Sequence, residues 1–201
     1  LKTANGKVIL LPSSTISNQK IEIYKKPLQK ATHPFRFYTR LNIKELTGVK
    51  AKNLSELLEN LKTVSDSVIF YHTHDFLEEY HYLTPPPSNE FAIWVSYALN
   101  DAILAEKLSN IDIFDFSTIG ALRNRITNVI EEHLNLFGGD RNCFEGAEFH
   151  FIKSISSIIP TPYVAHDLRE FLQILHFISP NSLFFHIYEA KLRLGKIAND
   201  F

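Results

Sequence analysis

Residues 65–83, SDSVIFYHTHDFLEEYHYL, decide the fold, because their first half returns in altered form near the other end of the chain. The return is residues 179–195, SPNSLFFHIYEAKLRLG. At a spacing of 114 residues (149 minus 35), an ungapped alignment runs from Phe35 and Phe149 to His72 and His186. Identical residues between those ends include Thr47/Thr161, Ala51/Ala165, Leu54/Leu168, Glu56/Glu170, Leu58/Leu172, Leu61/Leu175 and Ser65/Ser179. The pattern predicts an internal duplication.

Each copy is expected to begin with β structure. Residues 35–41 (FRFYTRL) predict a strand, and Gly48 predicts a turn. Residues 49–52 would then return as the second strand of a β-hairpin. The alternative is one strand followed by an irregular loop.

Two helices follow the β structure in each copy. Asn53 and Glu56 have the spacing of a capping box, and Asp167 and Glu170 repeat it. A capping box explains both glutamates without a catalytic role. Ser65 and Ser179 are suited to cap the next helix of each copy, so residues 65–83 are expected to be helical.

The sequence therefore predicts an α+β, helix-rich fold with two divergent copies of a β-hairpin/helix/helix unit. Residues 35–83 form the first copy and residues 149–201 the second. Residues 84–148 are an inserted segment with three predicted helices, in which Trp94 is expected to lie in the core and not to form a platform for sugar stacking. All these parts are expected to form one compact domain, with residues 1–34 as an N-terminal arm.

The composition is that of an ordinary globular protein, with 201 residues, 45% hydrophobic and 21% charged. The single cysteine, Cys143, cannot form an internal disulfide, which favours the cytoplasm. Apolar runs are short, so no membrane association is expected. A formal net charge of −1 argues against nucleic-acid binding.

Charge is nevertheless segregated along the chain. Residues 1–30 contain six lysines and one acidic residue, Glu22, whereas residues 63–106 contain seven acidic residues and no lysine or arginine. The β-prone runs at residues 7–11 and 20–24 add strand propensity to the basic arm. We expect the arm to dock on an acidic surface, either on a protein partner or second copy, giving a homo-oligomer, or within its own chain as a hairpin.

The histidine that recurs at the 114-residue spacing has two interpretations. His72 and His186 could be a pair of ligands or acid/base groups that meet across the interface between the copies. Alternatively, each is a half-buried imidazole hydrogen-bonded to backbone, which is the interpretation that we favour.

The other side of the first-copy helix carries ligand-type residues that the second copy lacks. His74, Glu78 and His81 recur at i, i+4 and i+7, a spacing that can bring two or three ligands to one divalent ion, with zinc as the first candidate. The interpretation that we favour is a solvated helix face with no cofactor, and the zinc site is the alternative.

Other signatures of catalysis are absent from the sequence, including those of nucleotide-binding loops and nucleophile elbows. Cys143 precedes His150 by a few residues, but a lone thiol is more often inert. Asp112 and Asp115 could serve as paired carboxylates, although their spacing does not set the distance between their oxygens. No catalytic residue is therefore assigned.

Several segments together resemble a known family. These are the hairpin and capping-box unit, the aromatic run before His72, residues 89–101 (NEFAIWVSYALND), residues 104–108 (LAEKL), the IDIFDF segment and the second copy. They are similar to an uncharacterised family of prokaryotic proteins catalogued as a domain of unknown function, over about residues 35–195. The resemblance implies an association with carbohydrate metabolism, since members can sit beside sugar-metabolism and glycosyltransferase proteins.

Two classes of function remain. The first, which the divergent copies and the segregated charge favour, is a non-catalytic interaction or assembly module. The second is a metal- or carboxylate-dependent enzyme acting on a sugar-like or phosphorylated small molecule, centred on His74, Glu78 and His81 or on His72 and His186.

Overall fold

The computed structural model describes residues 29–80, 88–138 and 141–194. It is α+β, as predicted, with one two-stranded antiparallel sheet made by β1 (Phe35–Ala51) and β2 (Phe149–Ala165). The chain divides into a small unit, Leu1–Phe35 with Tyr163–Phe177, and a larger unit, Arg36–Pro162 with Ile178–Phe201. Between the two strands, the described part of residues 84–148 forms three helices of eight residues or more.

The helices follow in chain order. They are α1 (Leu54–Thr63), α2 (Asp66–Phe70, a π-helical turn Tyr71–Asp75, and Phe76–Tyr80), α3 (Glu90–Ala98), α4 (Ala102–Ser109), α5 (Ile119–Phe137), α6 (Leu168–Ile174), and α7 (Pro180–Phe184, a π-helical turn Phe185–Glu189, and Ala190–Leu194). Helices α1 and α4 pack on α5, and α3 packs on α4.

The predicted hairpins are wrong, because each copy contributes one long strand. Gly48 has a φ of 79°, yet the chain continues through it within β1. The neighbouring Thr47 hydroxyl accepts from Val49 N–H at 3.1 Å and donates to the Phe151 carbonyl on β2 at 2.7 Å. The glycine therefore permits a local distortion without reversing the strand, and the pairing partner is β2.

Side-chain caps fix the starts of α1, α6 and α7 where the sequence places them, whereas Ser65 precedes α2 without the expected side-chain cap hydrogen bond. The Asn53 side chain accepts from Glu56 N–H at 2.9 Å, and the Glu56 carboxylate accepts from Lys52 N–H at 2.8 Å. Asp167 and Glu170 make the same two contacts at the start of α6. Both capping boxes are thus present, which confirms a structural role for the two glutamates.

The main core of the larger unit lies between the helices and one face of the sheet. Fully buried side chains in it include Leu57, Leu61, Ile69, Phe70, Phe91, Leu104, Leu108, Ile119, Leu122 and Phe151. Trp94 is also buried, and its indole N–H donates to the Ala147 carbonyl at 2.7 Å. That contact supports the prediction that Trp94 is a core residue.

The element boundaries recur at the 114-residue spacing. Strand β2 and the three segments of α7 begin and end 114 positions after β1 and the three segments of α2. The Thr161 hydroxyl donates to the Phe37 carbonyl at 2.7 Å, the counterpart of the Thr47 bond to Phe151. The internal duplication itself stays a prediction.

Most of the N-terminal arm, residues 1–28, lies outside the described residues, so its docking stays a prediction. Within the described ranges, none of the helices has the length and apolar character that crossing a bilayer requires.

Candidate functional site

Helix α2 buries polar residues on both of its sides, including the side that was expected to face solvent. His72, Thr73, His74 and Asp75 are all buried, and they all belong to the π-helical turn Tyr71–Asp75. The solvated-face expectation is therefore wrong for His74 and Asp75. The side of the helix that carries His74 and Asp75 can be buried because β1 supplies polar partners for it, while aromatic residues cover the rest. Inserted π turns of this kind are frequent at functional sites.

Arg40 on β1 is the centre of a buried charge cluster. Its guanidinium donates to Asp75 Oδ1 at 2.7 Å and to Glu189 Oε2 at 3.2 Å, and it also donates to Glu78. Its Cζ lies 4.1 Å from the centroid of the Phe184 ring, a cation–π distance. Burial lowers the Arg40 pKa, but the three carboxylates outweigh it and raise the pKa above its ordinary value. The arginine is therefore permanently charged.

A second arginine, Arg193 on α7, extends the cluster. It donates to Glu189 Oε1 at 2.6 Å and to the Ser156 hydroxyl and Ser154 carbonyl on β2, each at 3.1 Å. Its Cζ lies 5.2 Å from the Phe70 ring centroid. Glu189 therefore bridges two arginines, and the cluster connects both strands to α2 and α7.

Glu78 lies at the edge of this cluster. Burial raises its pKa, and the neighbouring Arg40 opposes the shift. Both oxygens of Asp75 are hydrogen-bonded, because the second oxygen accepts from the Asn42 side chain at 2.9 Å. The three carboxylates of the cluster serve as partners for two arginines, which offset most of their charge within the core.

His72 is fully buried, and its tautomer follows from its contacts. Its Nε2 lies 2.9 Å from the Ile152 backbone nitrogen, and a backbone N–H can only donate. Nε2 is therefore unprotonated, and Nδ1 carries the proton that it donates to Glu90 Oε2 at 2.6 Å. Burial lowers the His72 pKa, and Glu90 opposes the shift. The neutral ring joins β2 to the first turn of α3.

His186 makes the equivalent backbone contact. Its Nε2 accepts from Tyr38 N–H at 2.9 Å, and burial lowers its pKa. Both histidines thus contact backbone through Nε2, as in the interpretation favoured from the sequence, although His72 is fully and not half-buried. In each ring, Nε2 is the nitrogen that could bind a metal ion or accept a proton. A backbone N–H already occupies it.

The three predicted zinc ligands have different surroundings. His74 is buried with its ring stacked on Phe70, at 5.0 Å between centroids and 4° between planes. Its Nδ1 lies 3.0 Å from the Thr73 hydroxyl, and its Nε2 has no hydrogen-bond partner among the described residues. Glu78 binds Arg40, and His81 lies outside the described residues. Among the residues that are described, no group of three potential ligands could hold a metal.

The remaining catalytic candidates have structural surroundings. Burial and the Glu148 charge raise the pKa of the Cys143 thiol, which disfavours the thiolate that a nucleophile requires. The Asp112 side chain accepts from Phe114 N–H at 3.0 Å and so caps the short 3₁₀ turn Ile113–Asp115. Neither position shows the arrangement of a reactive group beside an activating base.

A cleft of about 400 Å³ opens in the larger unit, beside α3. Its lining includes Trp94, Tyr97, Phe144, Phe149, Glu90 and Glu148. Glu90 also carries the hydrogen bond from His72, so this cleft adjoins the buried histidine. Volumes of this size are typical of small-molecule sites.

This chain is similar to known proteins both in sequence and in structure. The model of a family of unknown function, DUF5752, matches residues 32–201. The chain belongs to the DUF5752 family. This match confirms the resemblance to an uncharacterised domain family. A search of curated proteins found no match.

A solved structure described as OrfY from Thermoproteus tenax is similar to this DUF5752 chain. The two share 29% sequence identity with a TM-score of 0.74, over 83% of this chain and 75% of that one. The two chains therefore share a fold.

Sequence reasoning missed the arginine cluster of this DUF5752 protein. A signal was present, because Asp75 and Glu189 stand 114 residues apart and preserve an acidic residue in both copies. An acidic side chain that recurs at equivalent positions of two amphipathic helices is consistent with a buried cation partner. The partner could not be identified, since Arg40 has a serine, Ser154, at its equivalent position.

Proposed function

We propose that this protein is a non-catalytic assembly module that pairs with a second copy through the outer face of its two-stranded sheet. The observation that carries the proposal is an exposed apolar strip on that face. Leu41 and Ile43 of β1 are 55% and 52% exposed, and Ile155 and Ile159 of β2 are 37% and 44% exposed.

The four side chains share one face because strand residues alternate between faces. Asn42 and Ser154 are hydrogen-bonded to each other at 2.9 Å, so both lie on the face that carries the buried charge cluster. Leu41 and Ile43 flank Asn42, and Ile155 follows Ser154. They therefore point to the other side, away from the helices.

Charges on the same face suit a self-complementary contact. Lys153 and Glu45 also belong to the outer face by alternation, and they lie 3.8 Å apart. A second copy related by a twofold axis would present the opposite charge to each of them around the apolar strip. Such isologous contacts are the commonest way in which identical chains associate.

The sheet edges are less suited to strand addition than the face is to packing. Tyr38 N–H is bound by His186, and the Tyr38 carbonyl accepts from the Ser182 hydroxyl at 2.5 Å. On β2, Ile152 N–H is bound by His72. Side chains from the helices therefore cover parts of both edges and block the pairing of a further strand there.

The enzyme alternative has less support. The buried carboxylates bind arginine, and the repeated histidines bind backbone, so both groups serve the fold. Zinc binding, docking by the N-terminal arm and an association with carbohydrate metabolism stay predictions.

Light scattering of the purified chain tests the assembly proposal. We expect twice the monomer mass of 23.1 kDa, and the monomer mass for the double variant Leu41→Glu/Ile155→Glu. The two glutamates of the variant would have to lose their hydration in the interface, which opposes association.

Leu46→Glu is the matched control, because Leu46 is an exposed leucine of the same strand that lies off the apolar strip by alternation. It should leave the dimer intact. A monomer mass for the intact chain at every concentration, or equal dissociation by the control, would overturn the proposal.

A further inference from the structure

The cleft beside α3 combines aromatic side chains with two carboxylates. Trp94 and Phe149 are buried and form its floor, whereas Tyr97 and Phe144 are 81% and 68% exposed and border it. Large aromatic side chains that remain exposed around a concave, mostly apolar surface are characteristic of a binding site and not of a folding core.

The charged side chains that line the cleft are carboxylates. Glu90 and Glu148 belong to its lining and no lysine or arginine does, although Lys50 and Lys52 lie near enough to Glu148 to help lower its pKa. His150 is its one other titratable side chain besides Tyr97. A ligand that fits the lining should therefore be positively charged, since burying a carboxylate against a neutral or anionic ligand carries a desolvation cost.

Glu90 is held in place, and Glu148 is ionised. The buried His72 donates to Glu90 Oε2 at 2.6 Å, while the Ile152 N–H fixes the other side of the same ring. Backbone hydrogen bonds lower the pKa of Glu148, so that this group is ionised at neutral pH. A fixed carboxylate such as Glu90 binds a cation with little loss of side-chain freedom, which favours affinity.

We propose that this cleft binds a small organic cation with an alkylated ammonium group, held over the aromatic side chains and neutralised by Glu90 and Glu148. Aromatic faces attract alkylammonium groups through cation–π interactions, and the apolar floor accommodates their methyl groups. This site is separate from the sheet face of the assembly proposal, so that either proposal can fail alone.

The single tryptophan makes the test direct. Trp94 is the one tryptophan of the chain and lines the cleft, so selectively excited tryptophan emission reports on this cleft alone. Titration with choline chloride should change the emission with a saturable curve. The uncharged tert-butyl analogue of choline has almost the same shape and should bind at least about fivefold more weakly, because it lacks the charge.

Two substitutions locate the site. Tyr97→Ala and Glu148→Gln should each weaken choline binding by about two- to fivefold. The matched controls are Phe177→Ala and Glu106→Gln, which change an exposed aromatic and an exposed carboxylate outside the cleft lining. They should leave the binding curve unchanged. Higher salt should also weaken binding, since the carboxylates are partly exposed.

Three results would overturn the proposal. The first is no saturable change in emission or heat with choline, and the second is equal binding of choline and its uncharged analogue by the unmodified chain. The third is equal affinity in the cleft variants and the controls, which would place choline elsewhere. The comparison of the two ligands needs no variant, so it stands even if a substitution unfolds the protein.

Discussion

His72 Nε2 accepts the backbone N–H of Ile152 at 2.9 Å, so a buried side chain of α2 completes the hydrogen bonding of the outer edge of β2. His186 does the same for Tyr38 on β1, also at 2.9 Å. A two-stranded sheet has an exposed edge on each side, and such edges attract unwanted strands. The repeated histidine therefore binds one backbone N–H on the outer edge of each strand, which hinders the pairing of a further strand at that position.

Replacing His72 should test this role. His72→Phe keeps an aromatic ring but leaves the Ile152 N–H and the Glu90 carboxylate without their partner. We expect the free energy of unfolding to fall by about 2 kcal/mol. Urea denaturation at neutral pH measures it.

His72→Gln is the informative companion variant. Its side-chain oxygen can accept from Ile152 N–H, so that part of the lost stability should return. His150→Phe, at an exposed position, is the control and should change the stability little. Equal losses in the Phe and Gln variants would show that packing, and not the hydrogen bond to the strand edge, explains the effect.

The internal duplication predicts that equivalent substitutions have equivalent effects. Thr47 and Thr161 each donate to a carbonyl of the opposite strand at 2.7 Å, so Thr47→Val and Thr161→Val remove the same kind of bond. Each should cost about 1 kcal/mol of unfolding free energy. Denaturation curves that differ between the two variants by more than about 1 kcal/mol would contradict the equivalence.

Local signals in the sequence predicted the helices well. The capping residues Asn53 and Asp167 act on the three or four residues that follow them, so that a short stretch of sequence contains the whole interaction. The strands were harder to predict. Gly48 can serve a turn or a distorted strand, and the choice depends on a partner strand about 100 residues away.

The buried polar side of α2 was not predicted for a similar reason. A helical wheel assigns His74 and Asp75 to the polar side, which normally faces solvent. Here Arg40 and Asn42, more than 30 residues earlier, supply the partners that make burial of Asp75 tolerable. The π-helical turn further shifts the residues that follow it, so the regular 3.6-residue period no longer describes the helix.

Loss of Arg40 should be strongly destabilising. Arg40→Met preserves much of the side-chain volume but leaves the buried carboxylates of Asp75 and Glu189 without this cation. Unfolding free energy should fall by about 3–5 kcal/mol, because an unpaired buried charge is costly. Thermal and chemical denaturation both report it.

Lys44→Met is the matched control for that variant. Lys44 lies on the same strand and pairs with Glu79 at 2.6 Å, but both side chains are well exposed. Its loss should cost at most about 1 kcal/mol. If the two variants lose the same stability, the buried cluster is not a major contributor to the fold.

The zinc prediction depends on His81, which lies outside the described residues. If the first copy binds zinc through His74, Glu78 and His81, then His81→Ala should abolish the binding measured by calorimetric titration. Glu78 also binds Arg40, so a bound zinc ion would place a second cation on the same carboxylate. A titration of the intact chain that matches the His81→Ala variant would remove the metal hypothesis.

His74 should make the protein sensitive to acid. Burial lowers its pKa from the ordinary 6.5 to about 4, and the Asp75 charge only partly opposes the shift. The unfolded chain binds a proton at this ring below about pH 6.5, whereas the folded chain keeps the ring neutral until about pH 4. The stability present above pH 6.5 is therefore lost progressively as the pH falls toward 4, by about 3 kcal/mol at most.

His74→Phe should remove this contribution. The ring stacks on Phe70 and lies edge-on to Phe114, so a phenyl group suits the surroundings. Urea denaturation between pH 4 and 7 should show a flatter pH dependence for His74→Phe than for the unmodified chain, with the difference growing as the pH falls. His176→Phe, at an exposed position, should follow the unmodified chain. Parallel curves for all three proteins would mean that the buried His74 ring does not set the acid sensitivity.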